Sequence, residues 1–343
     1  MRYLAQFPAG TLPLVVAALT AAFDRVRLLH SDDSAVVFET RSRVSPRDVP
    51  FVKNLFLVWA ASPRGPLDAS IVRLAKGLRL PRVERHNERL RFRVMYHIDG
   101  QLVACQPRAR QTFETAISST TGAHLSPRGQ CQEYWVIGRR DWPMIYLGER
   151  LPGGGNTRSQ PKGSLSPQVA SLLVAASRPA PEDVFLDPFG GTGAIVRARL
   201  RLPVRRAIYS DTRLEALRVA LKDLTHHGVD LLNDDALLLP FVSSGSVNAI
   251  VTDPPWGEFD GEITDYSRFA SAAASSMARV LHPTRGRLVM LISRRRVNTM
   301  VDALTRTDFR LHPALDILVN GHPATVLRTV GPRGQLTSRR TSN

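Results

Sequence analysis

The chain of 343 residues carries a net charge of +16, with 43% hydrophobic and 22% charged residues and two cysteines, Cys105 and Cys131. These figures describe a folded protein larger than one average domain. They exclude a disordered or fibrous chain, a disulfide framework and a cysteine-rich zinc site. All but four of the 46 basic residues are arginine, and so large an excess of base points to a polyanionic partner, nucleic acid, read by planar guanidinium groups.

Near the start, "LPLVVAALTAAF" (12–23) follows Pro8 and Gly10 and leads into "DRVRLLHSDD" without a small-residue cleavage site. It reads as an amphipathic core helix and not as a signal peptide, which implies a cytoplasmic protein. No apolar run reaches the roughly 18 residues of a membrane helix, so no membrane partner is expected. The surplus of base is shared: residues 1–150 hold 22 bases against 13 acids, and residues 151–343 hold 24 against 17. Between the halves, "LPGGGNTRSQPKG" (151–163) is rich in glycine and proline and reads as a linker. Residues 332–343 have the same look and read as a flexible basic tail.

Beyond the linker, strand and helix signals alternate: "VFLDPF" strand, "GAIVRARLRL" helix, "RRAIYSD" strand, "RLEALRVALKDLTHH" helix, "SVNAIVTD" strand, "YSRFASAAASSMARVL" helix, "GRLVMLIS" strand. That order predicts an α/β domain over 164–331, a mostly parallel sheet covered by helices. Asn320-Gly321 between two apolar runs predicts a closing hairpin with an antiparallel last strand.

In such sheets ligands sit beyond the carboxyl ends of the strands, and four strand ends here carry chemistry. At "DPFGGTG", Gly190, Gly191 and Gly193, with Phe189 and Thr192 between and before them, let the backbone approach a ligand closely. Val196 stands where a dinucleotide fingerprint wants a small residue, and Asp187 would repel a pyrophosphate but suits an ammonium. In "YSDT", Asp211 follows 24 residues later, near the spacing of an acid that accepts ribose hydroxyls. In "NDDA", Asp235 is placed to bond an adenine amino group. An ammonium, a ribose and an adenine without phosphate describe S-adenosyl-L-methionine and not NAD.

The fourth end is "VTDPPWG" (251–257). Pro254 and Pro255 lack the N–H needed to extend a ladder and fix the chain's path. An exocyclic amine is a poor nucleophile because its lone pair is delocalised into the ring. The Asp253 carboxylate and the Pro254 carbonyl together can accept its hydrogens and aim the lone pair, with Trp256 stacking on the base. Covalent cytosine chemistry is excluded, since no cysteine follows Cys131.

"DPFGGTGAI", "YSDT", "NDDA" and "VTDPPWG", in this order, resemble the class I methyltransferases that modify exocyclic amines. The segment "RFRVMYHIDG…EYWVIGRRDWPMIYLGERL" (91–151) resembles a THUMP domain, and residues 1–50 resemble the ferredoxin-like segment that precedes it in tRNA methyltransferases. The resemblance implies a ferredoxin-like segment (1–50), a THUMP-like RNA-binding domain (51–150) and a Rossmann-like methyltransferase domain with a seven-stranded sheet (164–331). It also implies formation of N2-methylguanosine in tRNA by a metal-free monomer. Arg91, Arg93, Arg139 and Arg140 are the candidate RNA contacts. Alternatives at this level are a guanine-N2 or adenine-N6 enzyme of rRNA, a DNA amino-methyltransferase, or a non-catalytic RNA-binding protein.

Overall fold

The computed structural model describes all residues except 83–89, 127–128, 130, 154–163, 225–226, 258–262 and 331–343. Most of the expected linker and the whole basic tail therefore lie outside the described residues. The chain divides into two units, Met1–Phe7 with Leu19–Asn156, and Pro8–Ala18 with Thr157–Asn343. The expected helix near the start is present as α1 (Leu12–Ala22), with Leu14, Val15 and Leu19 buried on one side.

The first unit is built on one sheet. Its strands are β1 (Arg2–Gln6), β2 (Arg27–Ser31), β3 (Ala35–Glu39), β4 (Asn54–Pro63), β5 (Arg91–Ile98), β6 (Gln101–Leu102), β7 (His124–Leu125), β8 (Gln132–Gly138) and β9 (Met144–Arg150). They run in the order β2-β3-β1-β4-β9-β8-β5-β6, with β7 on β5. Residues 1–50 and 51–150, read from the sequence as successive regions, thus share a sheet through the antiparallel pairing of β1 with β4, Leu4 opposite Phe56. Helices α2 (Leu67–Lys76) and α3 (Pro107–Thr121) bury Ile71, Leu74, Phe113 and Ile117 against Phe92, Tyr134 and Leu147 of the strands.

In the second unit strands and helices alternate: α4 (Pro167–Ala176), β10 (Val184–Asp187), α5 (Ala194–Arg199), β11 (Arg206–Ser210), α6 (Leu214–Leu224), β12 (Asp230–Leu232) and β13 (Ala249–Thr252). There follow α7 (Tyr266–Val280), β14 (Arg287–Ser293), a 3-10 turn (Arg294–Arg296), α8 (Val297–Arg306), β15 (Arg310–Leu311), β16 (Leu315–Val319) and β17 (His322–Val330). The order is β12-β11-β10-β13-β14-β17-β15, with β16 also on β17. Strands β10 to β14 pair in parallel, and the short apolar β10 and β13 at the centre are buried along their whole length, as strands covered on both faces must be. Caps fix where helices begin: the Ser166 hydroxyl accepts from Val169 N, and the Asp265 carboxylate from Arg268 N.

Among the described residues the sheet has eight strands where seven were expected. Pro313, which has no N–H to give a ladder, divides the sixth strand into β15 and β16, both antiparallel to β17. The hairpin stands where Asn320-Gly321 signalled it; φ is 51° and 86° at the two turn residues, as a type I′ turn requires.

The strand order reverses after β12: the chain steps from β10 outward through β11 and β12, then returns to β13 on the other side of β10. The crevice at such a switch point opens at the carboxyl ends of β10 and β13. At the opposite, amino end of β10, the buried Asp183 is held by Arg199, which is fully buried, by Arg287 and by the amide of Ala180.

Candidate active site

The carboxyl ends of β10, β11, β12 and β13 bring together the acids read from the sequence. Asp187 ends β10 and is 1% exposed. One of its oxygens accepts from the Thr252 hydroxyl at 3.0 Å, across from the end of β13. Its other oxygen, Oδ2, is buried with no hydrogen-bond partner. Burial, with Asp253 and Asp211 adding negative charge nearby, pushes this carboxyl up to about 8.

The glycine loop that follows is pinned to β11. Gly190 N donates to Ser210 O at 2.8 Å, Gly193 N to Gly190 O at 2.8 Å, and the Tyr209 hydroxyl to Gly191 O at 2.7 Å. A Cβ at Gly190 would lie 2.2 Å from the Tyr209 ring, so no larger residue fits there. Gly191 and Gly193 have φ of +50° and +79°, left-handed conformations that favour glycine. Phe189 packs on Phe269 of α7 at 5.8 Å between ring centroids, and Thr192 is half-buried.

Asp211 is buried and well bonded: Oδ2 accepts from Gly191 N at 2.8 Å, and Oδ1 from Arg213 N at 2.8 Å and Nε at 3.3 Å. After β12, Asp235 is half-buried and uses Oδ1 to accept from Leu237 N at 2.9 Å. The sequence did not single out its neighbour Asp234, which is buried and has an Oδ2 with no partner. Two adjacent acids look alike in sequence; burial tells them apart.

After β13, Asp253 is half-buried, Pro254 buried, Pro255 exposed and Trp256 half-buried. The Trp256 indole N–H donates to Asp253 Oδ1 at 3.0 Å. The tryptophan was expected to offer only a stacking face, and the structure adds a hydrogen bond that orients the acid.

Two of the four candidate RNA contacts are engaged within the first unit. Arg93 pairs with Glu133, and Arg139 with Asp32 at 3.5 Å. Glu133 also takes Arg150 at 3.0 Å and the Trp135 N–H at 3.0 Å, which hold its carboxyl below the usual range against the effect of burial. Arg91 and Arg140 are exposed and have no ion pair among the described residues.

Residues 155–318 match the model of the UPF0020 family, an RMKL-like methyltransferase domain. The match covers 164 of the 343 residues, just under half of the chain, and lies almost wholly in the second unit. S-adenosylmethionine is the cofactor, and the residues fit it: a buried, unpartnered carboxylate oxygen suits a cationic group, and the loop that follows turns tightly through left-handed glycines with no room for a side chain at Gly190. Over 124 residues, 34% of this chain, the protein is 33% identical to the tRNA (guanine(10)-N2)-dimethyltransferase of Methanothermobacter thermautotrophicus; the match spans 36% of that enzyme, about a third of its length. A crystal structure of TrmN from Thermus thermophilus aligns with 96% of this chain and 100% of its own at a TM-score of 0.74 and 21% identity. That of SMU.472 complexed with SAH aligns over 97% and 99% at a TM-score of 0.65 and 11% identity. Both share the class I methyltransferase fold. Among the described residues, no helix is long and apolar enough to cross a membrane.

Proposed function

We propose that the protein methylates the N2 amine of a guanosine in tRNA, in the cytoplasm and as a monomer. The observation that carries the reading is the pair of strand ends at the switch point. Asp187, with its bare oxygen, closes β10, and Asp253, oriented by Trp256, follows β13 beside it. One is suited to hold a cationic cofactor group, the other to accept hydrogens from a neutral amine.

S-adenosylmethionine supplies a methyl group on a sulfonium, already activated for transfer. Asp187 would hold its ammonium, Asp211 would accept from its ribose hydroxyls and Asp235 from its adenine amino group. The loop from Phe189 through Gly190, Gly191, Thr192 and Gly193 would lie against it. Asp253 and the Pro254 carbonyl accept the two amine hydrogens of the base, which returns the nitrogen lone pair from the ring and directs it. The rigid Pro254-Pro255 pair fixes that carbonyl. Trp256 orients Asp253 and offers its ring to the extruded base.

The choice of guanine N2 and of tRNA is supported by the Methanothermobacter relative, a tRNA guanine-N2-dimethyltransferase. The first unit, read as a ferredoxin-like and THUMP-like RNA-binding region, supplies tRNA contacts in which the exposed Arg91 and Arg140 carry more weight than the ion-paired Arg93 and Arg139. Transfer of labelled methyl to bulk tRNA, followed by nucleoside digestion, tests the reading. Label in N2-methylguanosine is expected; label in N6-methyladenosine overturns the base, and label in DNA alone overturns the substrate.

A further inference from the structure

The sequence runs Arg294-Arg295-Arg296 directly after β14, and such a run ordinarily reads as a solvated charged surface. Its place in the fold says otherwise. Strand β14 is parallel to β13 with Met290 opposite Thr252, so the strand leaves the sheet at the same edge as Asp253. The tri-arginine turn begins three residues beyond the position level with Asp253, roughly 10 Å further along the strand direction.

Three details mark the turn as a receptor for anions. Arg294 pairs with Asp316 at 2.9 Å, both well exposed, but Arg295 and Arg296 have no carboxylate partner among the described residues. Arg296 is not loose: its guanidinium lies 4.6 Å from the ring centre of Tyr266, and its Nε is shut from solvent without a hydrogen-bond partner. Finally, the turn leads into the amino end of α8, which has no acid in its first turn and no side-chain cap. With Arg294 met by Asp316, Arg295 and Arg296 still set two uncompensated cations at the positive end of a helix dipole, which favours an anion there.

The turn is also joined to the cofactor loop. Tyr266 packs on Phe269 at 5.4 Å, and Phe269 on Phe189 at 5.8 Å, so aromatic contacts run without a gap from Arg296 to the residue before Gly190. We infer that Arg295 and Arg296 grip backbone phosphates of the substrate RNA strand next to the extruded base, presenting that base to Asp253. The inference rests on the RNA reading above. Arg294, already paired, contributes less.

Equilibrium binding of bulk tRNA by the full chain at salt concentrations from about 50 to 200 mM tests it. Two lost phosphate contacts should flatten the slope of log affinity against log salt by about 1.5 in R295Q/R296Q, and lower affinity at about 100 mM salt by roughly tenfold. R306Q, which removes a charge at the far end of α8, should match wild type in both. Calorimetric affinity for S-adenosylmethionine should be unchanged in every variant, which also reports that the domain is folded. An R295Q/R296Q protein with wild-type slope and affinity overturns the inference and leaves the RNA reading standing. So does an R306Q protein that loses as much, or a double variant that loses the cofactor instead. A wild-type protein without salt-dependent affinity for tRNA overturns both.

Discussion

Strand β10 is flanked by two buried aspartates four residues apart, and the protein treats them in opposite ways. Asp183, just before the strand, is met by two arginines and a backbone amide. Asp187, its last residue, has one hydroxyl, an amide of the following loop and an oxygen with nothing to bond, beside two further acids. A chain with 46 basic residues does not lack cations to put there. The amino edge of the sheet is neutralised by cations for stability; the carboxyl edge is left without one, so Asp187 holds its proton until a cationic ligand arrives to take the place of a counter-ion.

The largest separation of the two edges is expected from removing each charge in turn. Asp183→Asn leaves the fully buried Arg199 without its counter-ion and should cost about 3 kcal/mol, read as a drop in Tm of roughly 6–12 °C, with cofactor affinity retained. Asp187→Asn should do the reverse. Its carboxyl sits near 8 in the folded protein against an ordinary 3.8, so folding takes up a proton between those values and the ionised form costs stability as pH rises through that window. The amide should leave Tm unchanged or raised at pH 8, and abolish S-adenosylmethionine binding. Equal effects at both positions would erase the distinction.

Next in size is Asp253→Ala, which should lower turnover about a hundredfold, as loss of one preorganised polar group commonly does, while cofactor affinity stays near wild type. This divides the carboxyl edge itself into a binding part and a reacting part. Trp256→Phe keeps the ring and removes the N–H that bonds Asp253. The loss of one hydrogen bond to a charged group should lower kcat about tenfold with little change in KM for tRNA; a fully active phenylalanine variant would show that the ring alone matters. The smallest effect is in the first unit, where Arg140→Gln should weaken tRNA binding a few-fold and Arg139→Gln, already paired with Asp32, less.

Much of the carboxyl edge was legible because it is local: a strand, a glycine turn and an acid at each end announce themselves within ten residues. The hairpin at Asn320-Gly321 was legible for the same reason. What the sequence hid depends on partners far along the chain. Asp183 and Arg287 are 104 residues apart, and β4 pairs with β9 across a separation of about ninety, as the Trp59–Glu149 bond shows. No local pattern encodes that register. The indole bond to Asp253 spans only three residues, yet rotamers decide it, and composition says nothing of rotamers. The tri-arginine turn was passed over because a charged run looks solvated until a strand's direction shows which edge it crowns.

The contrast between Asp183 and Asp187 is tested most directly by calorimetric titration of the wild-type protein with S-adenosylmethionine near pH 6.5, in two buffers of different ionisation enthalpy. With its carboxyl near 8, Asp187 is protonated there and must ionise to accept an ammonium. The account predicts release of about one proton per cofactor bound and an affinity that rises between pH 6 and 7.5, roughly tenfold for each unit. Asp187→Asn should show neither. A pH-independent affinity without proton release, or an Asp187→Asn protein that binds as wild type does, would contradict it.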